Sequence, residues 1–137
     1  MRGSSQRLIS DLIGIPYLAD GRDKSGIDCW GLALEAMRRF GHDVPDLFAG
    51  GSEGIDARAL YEDQRSRPEW LRVDPPDPGD LCVICMDPRD PEFVHHVGVY
   101  TGGGRALHTM EKIASCLIRI DDPYWSRKIR SWYRWQG

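Results

Sequence analysis

One cysteine stands between a glycine-containing loop and an amphipathic run, in the stretch Ser25-Gly26-Ile27-Asp28-Cys29-Trp30-Gly31-Leu32. The apolar residues that follow recur at helical spacing and Gly41 ends the run, so we predict a helix that begins at Cys29. Asp28 is a residue type that caps helix N-termini. Because a first helical turn favours negative charge, we expect a thiol biased toward the nucleophilic thiolate. A buried structural cysteine is the alternative interpretation.

A pair of histidines could supply the base that such a thiol needs. His96 lies in the strand-like run Val94–Thr101, and His108 lies in the next run, beyond Gly102-Gly103-Gly104. A hairpin that turns at these glycines places His96 and His108 opposite each other on neighbouring strands. One imidazole could then accept the proton of Cys29 while the other fixes its tautomer, if the Cys29 helix packs on that face of the sheet.

Other interpretations of these side chains remain open. His96 and His108 could form a hydrogen-bonded core pair, or could join Cys29 in a zinc site. Because side chains alternate along a strand, we place His95 on the outer face, and we place His42 in a solvated loop. The remaining cysteines are interpreted as packing residues: Cys82, Cys85 and Cys116.

The elements that must position these residues are predicted as three helices followed by five strands. Helical patterns fall at 5–13, at the stretch after Asp28 and at 56–66, and the prolines between 67 and 80 indicate an ordered, extended loop. This order of elements predicts an α+β fold with an antiparallel sheet packed by helices. The predicted strands are Leu81–Met86, Val94–Thr101, Arg105–Met110, Ser115–Ile120 and Lys128–Trp135.

Length and charge limit the class of protein. A chain of 137 residues with 41% hydrophobic residues fits a single domain over 1–137. The net charge of −3 gives no support for binding to nucleic acid or to an anionic membrane surface. No apolar run approaches the ~20 residues of a membrane span, and residues 1–6 are polar, so we expect synthesis in the cytoplasm without a classical signal peptide and no membrane insertion.

Taken in order, the motifs resemble the NlpC-type (NlpC/p-sixty) family of papain-like cysteine hydrolases from bacteria and their phages. The resemblance covers nearly the whole chain and rests on five stretches. These are Pro16-Tyr17, Asp28-Cys29-Trp30-Gly31-Leu32, Pro78-Gly79-Asp80-Leu81, His96-Val97-Gly98-Val99-Tyr100, and His108 after the glycine-rich turn.

The resemblance implies a papain-like fold in which N-terminal helices pack on a five-stranded, mainly antiparallel sheet. It implies Cys29 as nucleophile, His96 as general base and His108 as the residue that orients His96, with Tyr17 assisting at the oxyanion site. The expected substrate is a peptidoglycan stem peptide, cleaved between a D-glutamyl residue and a diamino acid, and no cofactor or metal is expected. Three residues beside the nucleophile are expected to contact substrate: Asp28, Trp30 and Gly31.

Two departures from the family pattern refine these expectations. Trp30 stands where a serine is commoner, which resembles the branch associated with phage tails and predicts tail-tip proteins as partners and a virion tail or the cell wall as destination. The segment 41–79 is an insertion that we expect to shape the substrate groove. The alternatives are a structural tail-tip or assembly subunit with a vestigial site, and a thiol amidase or acyltransferase acting on a non-wall substrate.

Overall fold

The computed structural model of the protein describes residues 2–46, 67–86, 89 and 96–137. Helix α1 spans Arg2–Ile9 and continues into a 3-10 turn at Ser10–Leu12, before Gly14 adopts a positive φ of 89°. Helix α2 spans Cys29–Arg39, and the short helix α3 spans Pro123–Ser126. The helix predicted at 56–66 and the position of His95 lie outside the described residues.

Within the described residues, eight strands form two antiparallel sheets. Strands β1 (Arg22–Asp23) and β2 (Gly26–Ile27) make a small hairpin before α2. The main sheet has six strands in the order β3-β8-β4-β5-β6-β7. Its strands are β3 (Trp70–Val73), β4 (Leu81–Ile84), β5 (His96–Gly102), β6 (Arg105–Met110), β7 (Ile113–Arg119) and β8 (Ile129–Trp135). The predicted α+β class with an antiparallel sheet is confirmed.

The predicted number of five strands is wrong, because β3 adds a sixth at the edge of the sheet. Trp70–Val73 falls in the stretch interpreted as an extended loop, and it pairs with the C-terminal strand β8. Trp70 lies opposite Trp135, and their rings meet edge to face with centroids 4.9 Å apart. The segment has only four residues and its Leu71 is exposed, so the alternation of apolar and polar residues along it is weak. The pairing with β8 is what makes it a strand.

The two faces of the main sheet are covered by different elements. Helix α2 packs on the first face through Leu32, Ala36 and Met37, in one apolar cluster with Val83 and Leu107. The second face carries a smaller apolar cluster, against which Trp125 of α3 packs. Its buried members are Cys82, Ile84, Ala106, Ile118 and Trp132. Because strand side chains alternate, each residue of the sheet belongs to the α2 face or to the α3 face.

The longest described helix is α2, with 11 residues. A membrane-spanning helix needs ~20 predominantly apolar residues. Within the described part of the chain, no helix has the length and the apolar character to cross a membrane.

Candidate active site

The first turn of α2 is held by its cap. The side chain of Asp28 accepts a hydrogen bond from the Gly31 amide at 2.7 Å, as a helix N-cap does. The same carboxylate accepts from the Asp20 amide at 3.1 Å and pairs with Arg22 Nη1 at 2.8 Å. Asp28 therefore ties the preceding loop to the helix and places Cys29 at the first helical residue, as the sequence predicts.

Close packing explains the residues that follow the cysteine. A Cβ added to Gly31 would lie 2.5 Å from the carbonyl oxygen of Gly21, so the first turn approaches the loop more closely than a side chain allows. Trp30 is buried, and its indole Nε1 donates to Asp46 Oδ1 at 3.1 Å. Asp28, Trp30 and Gly31 thus all have structural roles, and their contact with substrate stays a prediction.

Tyr17 lies beside the start of α2 because the chain at 16–18 runs along β2. Tyr17 and Ile27 form a parallel bridge, in which the Ile27 amide donates to the Pro16 carbonyl at 3.0 Å. Burial, together with the negative charges of Cys29 as thiolate and of Asp28, raises the pKa of the Tyr17 hydroxyl. The hydroxyl therefore remains protonated and can donate a hydrogen bond near Cys29.

The two histidines are hydrogen-bonded neighbours, as predicted. His96 Nε2 and His108 Nδ1 are 2.9 Å apart, and the residues are 5% and 2% exposed. Their register differs from the prediction, because Val99 pairs with Leu107 and the two histidines are therefore diagonal rather than directly opposite. Gly98 lies beside His108: a Cβ added to Gly98 would be 3.0 Å from the Leu107 carbonyl oxygen and 3.5 Å from the Cβ of His108. The missing side chain lets the rings meet across the strands.

The hydrogen bond between the rings requires one nitrogen to donate and the other to accept. Burial lowers the pKa of His108 to about 4, so this imidazole is neutral at neutral pH and carries one proton. For His96 to act as a base through Nδ1, its Nε2–H must donate to His108 Nδ1, and His108 must carry its own proton on Nε2. The pair is then arranged as base and orienting residue.

The histidines lie on the sheet face opposite α2, which corrects the expectation that the helix packs on their face. His96 is the register partner of Ile84, and His108 alternates with Leu107, so both rings belong to the α3 face. Cys29, in the first turn of α2, meets β5 at the backbone amide of Val97. The thiol therefore lies beside the first residues of β5, next to the residue that follows His96.

The β5–β6 ladder leaves the amide of Val97 available to the thiol. The Tyr100 amide donates toward β4, to the Asp80 carbonyl, so the alternation of amides along β5 directs Val97 toward β6. Pairing with β6 extends only from Gly102 back to Val99. The Val97 amide, beyond the end of this ladder, acts instead to lower the pKa of Cys29.

The expectation of a thiol biased toward thiolate is wrong for the resting protein. Burial raises the pKa of the Cys29 thiol to about 11, and the charge of Asp28 raises it further. The amides of Val97 and Trp30 act in the opposite direction without overcoming burial. Cys29 is therefore a protonated thiol at neutral pH, and a base must remove its proton when it reacts.

Trp125 is part of this site and was not identified from the sequence. Its ring meets the ring of His108 edge to face, with centroids 4.8 Å apart. The available signal was Asp122-Pro123-Tyr124-Trp125, an N-cap followed by proline and two aromatic residues, which predicts a short helix but not the face that it covers.

The other histidine and cysteine predictions have mixed outcomes. Cys82 and Cys85 are buried and Cys116 is half-buried, and within the described part of the chain none of the three is in a disulfide, in agreement with packing roles. His42 follows α2 as predicted, but it is half-buried rather than solvated and its ring lies beside Gly79. Within the described ranges, no group of three or more His, Cys, Asp or Glu side chains is arranged to hold a metal ion. The zinc interpretation of Cys29 with the two histidines has no geometric support.

Comparison with known proteins gives curated relatives of similar sequence, among them two from Bacillus subtilis and Escherichia coli K12. The gamma-D-glutamyl-L-lysine dipeptidyl-peptidase of Bacillus subtilis is 28% identical over 111 residues, which cover 79% of this chain and 33% of that protein. The murein DD-endopeptidase MepS/murein LD-carboxypeptidase of Escherichia coli K12 is 27% identical over 120 residues, which cover 87% of this chain and 55% of that protein. The chain thus spans a third to about half of the length of these relatives.

Solved structures share the fold across almost the whole chain. An NlpC/P60 family protein from Bacillus cereus superposes with a TM-score of 0.67 at 22% identity, over 97% of this chain and 40% of the other. The NlpC/p60 domain of the peptidoglycan hydrolase SagA superposes with a TM-score of 0.61 at 19% identity, over 98% of both chains. The model of the NlpC/P60 family matches residues 14–134. With the motifs, the fold and this match in agreement over nearly its whole length, the chain belongs to the NlpC/P60 family.

Proposed function

We propose that the protein is a cysteine endopeptidase that cleaves the peptide stems of peptidoglycan. One observation carries this proposal: the buried 2.9 Å contact between His96 Nε2 and His108 Nδ1, formed where the first turn of α2 brings Cys29 to β5. A thiol, a base and a neutral acceptor that orients the base are the parts of a cysteine–histidine hydrolase.

The first step moves a proton and forms a tetrahedral intermediate. His96 Nδ1 accepts the Cys29 proton while Sγ attacks the carbonyl carbon of the stem peptide. This transfer accompanies the attack because the resting thiol, with its raised pKa, is protonated. The imidazolium of His96 keeps its Nε2–H bond to His108 Nδ1, so the orienting contact persists while the charge develops.

The second step returns the proton and releases the products. His96 protonates the leaving amine as the tetrahedral intermediate collapses to a thioester with Cys29, and water then hydrolyses this thioester with His96 again as base. The Tyr17 hydroxyl and the amides of the first turn of α2 are the donors for the oxyanion. A donor of this kind contributes on the order of 3 kcal/mol in characterised enzymes.

The proposed substrate follows from the relatives. One of them is named for a gamma-D-glutamyl-L-lysine substrate and another for murein, and the stem peptide is the substrate class that both names fit. We propose that this chain cleaves the bond between a D-glutamyl residue and the following diamino acid. In this proposal the peptide binds at the N-terminal end of α2, where Tyr17 and Asp28 lie on either side of Cys29.

A phage or prophage tail is the proposed setting, and the sequence Asp28-Cys29-Trp30-Gly31 supports it. In the structure Trp30 is buried and its indole donates to Asp46. A serine at this position would lose the buried indole and its hydrogen bond. Mass spectrometry of purified tail particles from the producing strain tests the setting. The chain is expected among the tail-tip proteins, and its presence only in the wall fraction would contradict a tail location.

The catalytic assignment is tested with Cys29→Ala and purified muropeptides of known stem composition. Without a nucleophile the variant is expected to lose at least ~1,000-fold in kcat, because removing one member of such a group disables the whole unit. Mass spectrometry of the products identifies the cleaved bond. The control is Cys82→Ala, which removes a buried thiol of the α3-face cluster and is expected to retain activity.

Three outcomes would contradict the proposal. Turnover by folded Cys29→Ala would exclude Cys29 as nucleophile. Cleavage of another bond would leave the cysteine mechanism but refute the substrate assignment. An unmodified set of muropeptides after incubation with the folded wild-type protein would favour a structural subunit or an enzyme with a non-wall substrate.

A further inference from the structure

Helix α3 lies in the connection between β7 and β8, and its Trp125 packs against His108 of the histidine pair. Asp122 caps this helix by accepting from the Tyr124 amide at 2.8 Å. On the other side, the Lys128 amide donates to the Trp125 carbonyl at 2.9 Å, and the Lys128 carbonyl accepts from Cys85 at the end of β4. The backbone of Trp125 is therefore fixed between its own cap and the central part of the sheet.

Trp125 covers the ring of His108. The ring centroids lie 4.8 Å apart with an interplanar angle of 73°, an edge-to-face contact. The second ring of α3, Tyr124, lies edge to face on Trp125 at 4.9 Å and carries the ammonium group of Lys128 on its face at 4.5 Å. The indole thus has ring contacts with both His108 and Tyr124.

The other neighbours of His108 come from the adjacent strands. His96 of β5 makes the 2.9 Å contact, and Cys116 of β7 is the register partner of His108. In the described part of the chain, His96 and Cys116 are the titratable groups that face the ring from the sheet, and α3 contributes the indole of Trp125. With 2% of its surface exposed, His108 is screened from water by this arrangement.

We propose that Trp125 is a positioning residue for the reaction: it encloses His108 and holds the ring in the orientation in which Nδ1 accepts the hydrogen bond from His96. This inference rests on the proposed function, in which His96 is the base. Trp125 does not touch the reacting atoms, and it acts through His108.

The orientation of the His108 ring matters because two changes would prevent its Nδ1 from accepting the hydrogen bond of His96. A ring turned over presents a carbon to His96, and a protonated ring has hydrogen on both nitrogens and can only donate. Water at His108 would favour the protonated form, since removal of water is what disfavours the charged imidazole. The indole of Trp125, packed against the His108 ring, hinders its rotation and keeps water away from it.

The test compares Trp125→Ala, Trp125→Phe and the control Trp135→Ala. Trp135 is also a half-buried indole in an edge-to-face pair, with Trp70 at 4.9 Å, but it lies on the α2 face away from the histidines. Steady-state kinetics on muropeptides separates kcat from KM. NMR of 15N-labelled histidine reports the tautomer and the pKa of His108 without any need for activity.

We expect Trp125→Ala to lower kcat on the order of tenfold with KM changed less than about twofold, since it weakens general-base catalysis without touching substrate. The pKa of His108 is expected to rise from about 4 toward its ordinary 6.5, and the single tautomer is expected to be lost. Trp125→Phe keeps an aromatic ring and is expected to restore most of kcat. Trp135→Ala is expected to leave the His108 spectrum unchanged.

An unchanged tautomer and pKa of His108 in folded Trp125→Ala would overturn the inference, and so would an equal loss of kcat in Trp135→Ala. A wild-type protein without peptidase activity would refute the proposed function. Even then the spectra of the variants would decide whether Trp125 fixes His108.

Discussion

At Cys29, two physical effects act on one sulfur atom in opposite directions. A helix N-terminus stabilises a negative charge by about 1 kcal/mol or less in ordinary settings. Burial and the neighbouring charge raise the pKa of the thiol from 9.0 to about 11, which corresponds to about 3 kcal/mol. The effect of burial is the larger one, so the thiol of Cys29 is mainly protonated at neutral pH and its reactive form is generated during the reaction.

His108 gives the protein a dependence of stability on pH. Its pKa is about 4 in the folded protein and 6.5 in its ordinary state, so between these values the unfolded chain binds more protons. Stability is therefore complete above pH 6.5 and decreases as the pH falls toward 4, by up to about 3 kcal/mol. Urea unfolding at pH 7, 5.5 and 4.5 measures this loss in the wild-type protein.

The control for this prediction is His108→Gln, which keeps an uncharged polar side chain and cannot titrate. Its free energy of unfolding is expected to change much less than that of the wild type between pH 6.5 and 4. The bonds of Asp11 to Arg39 and Lys24 lower its pKa, so in the folded protein Asp11 is protonated only at a pH below this range. Parallel pH profiles for the two proteins would refute the assignment to His108.

At the level of the element, the N-terminus of α2 is a junction, bonded both to the loop before the helix and to the segment after it. Asp28 caps the helix, pairs with Arg22 and accepts from the Asp20 amide, while Arg22 also bonds to Asp46 at 2.8 Å. Trp30 donates to the same Asp46. The first turn that carries Cys29 is thereby joined to the loop before it and to the chain after α2.

Asp28→Ala is expected to lower the free energy of unfolding by about 1–2 kcal/mol, because it removes the cap and the ion pair with Arg22. Asp28→Asn retains an oxygen that can cap and is expected to lose less than half as much. Urea titration measures both variants. Equal losses in the two would show that the charge, and not the cap, holds the junction.

Kinetics on the same two variants examines the predicted substrate contact of Asp28. If the carboxylate only caps α2, the folded Asp28→Asn protein keeps its KM for muropeptides. An increase in KM in Asp28→Asn without a change in stability would support the contact with substrate.

At the level of the whole molecule, the C-terminal strand β8 completes the sheet by lying between β3 and β4. Its Arg134 forms a two-point contact with Asp80, Nε to Oδ1 at 2.9 Å and Nη2 to Oδ2 at 2.8 Å. Asp80 is fully buried in the turn before β4, and its Oδ2 also accepts from the Asp77 amide. This ion pair joins the last strand to the turn that opens the central strands.

Arg134→Met is expected to destabilise the protein by roughly 3 kcal/mol or more, since it leaves the buried carboxylate of Asp80 without its partner. The matched control is Arg119→Met, which breaks the exposed pair with Asp121 and is expected to change stability by less than about 1 kcal/mol. Thermal or urea unfolding measures both. Similar losses in the two variants would contradict a special role for the buried pair.

Local signals in the sequence determined much of this protein. The cap at Asp28 and the stop at Gly41, whose φ is 94°, bound α2 because both act within a few residues. The glycines after β5 adopt positive φ at Gly103 and Gly104 and turn the hairpin, which brings His96 and His108 together. The order of motifs then identified the family, because each motif is a short local arrangement.

Only the tertiary structure decided the features that depend on distant segments. Strand β3 exists through its pairing with β8, some 60 residues later in the chain, and alternation alone could not say which sheet face α2 or α3 would cover. Whether Trp125 reaches His108, and whether burial outweighs the helix terminus at Cys29, are set by what packs around each group. The sequence thus determined which groups could do chemistry, and the packing decided their protonation and their orientation.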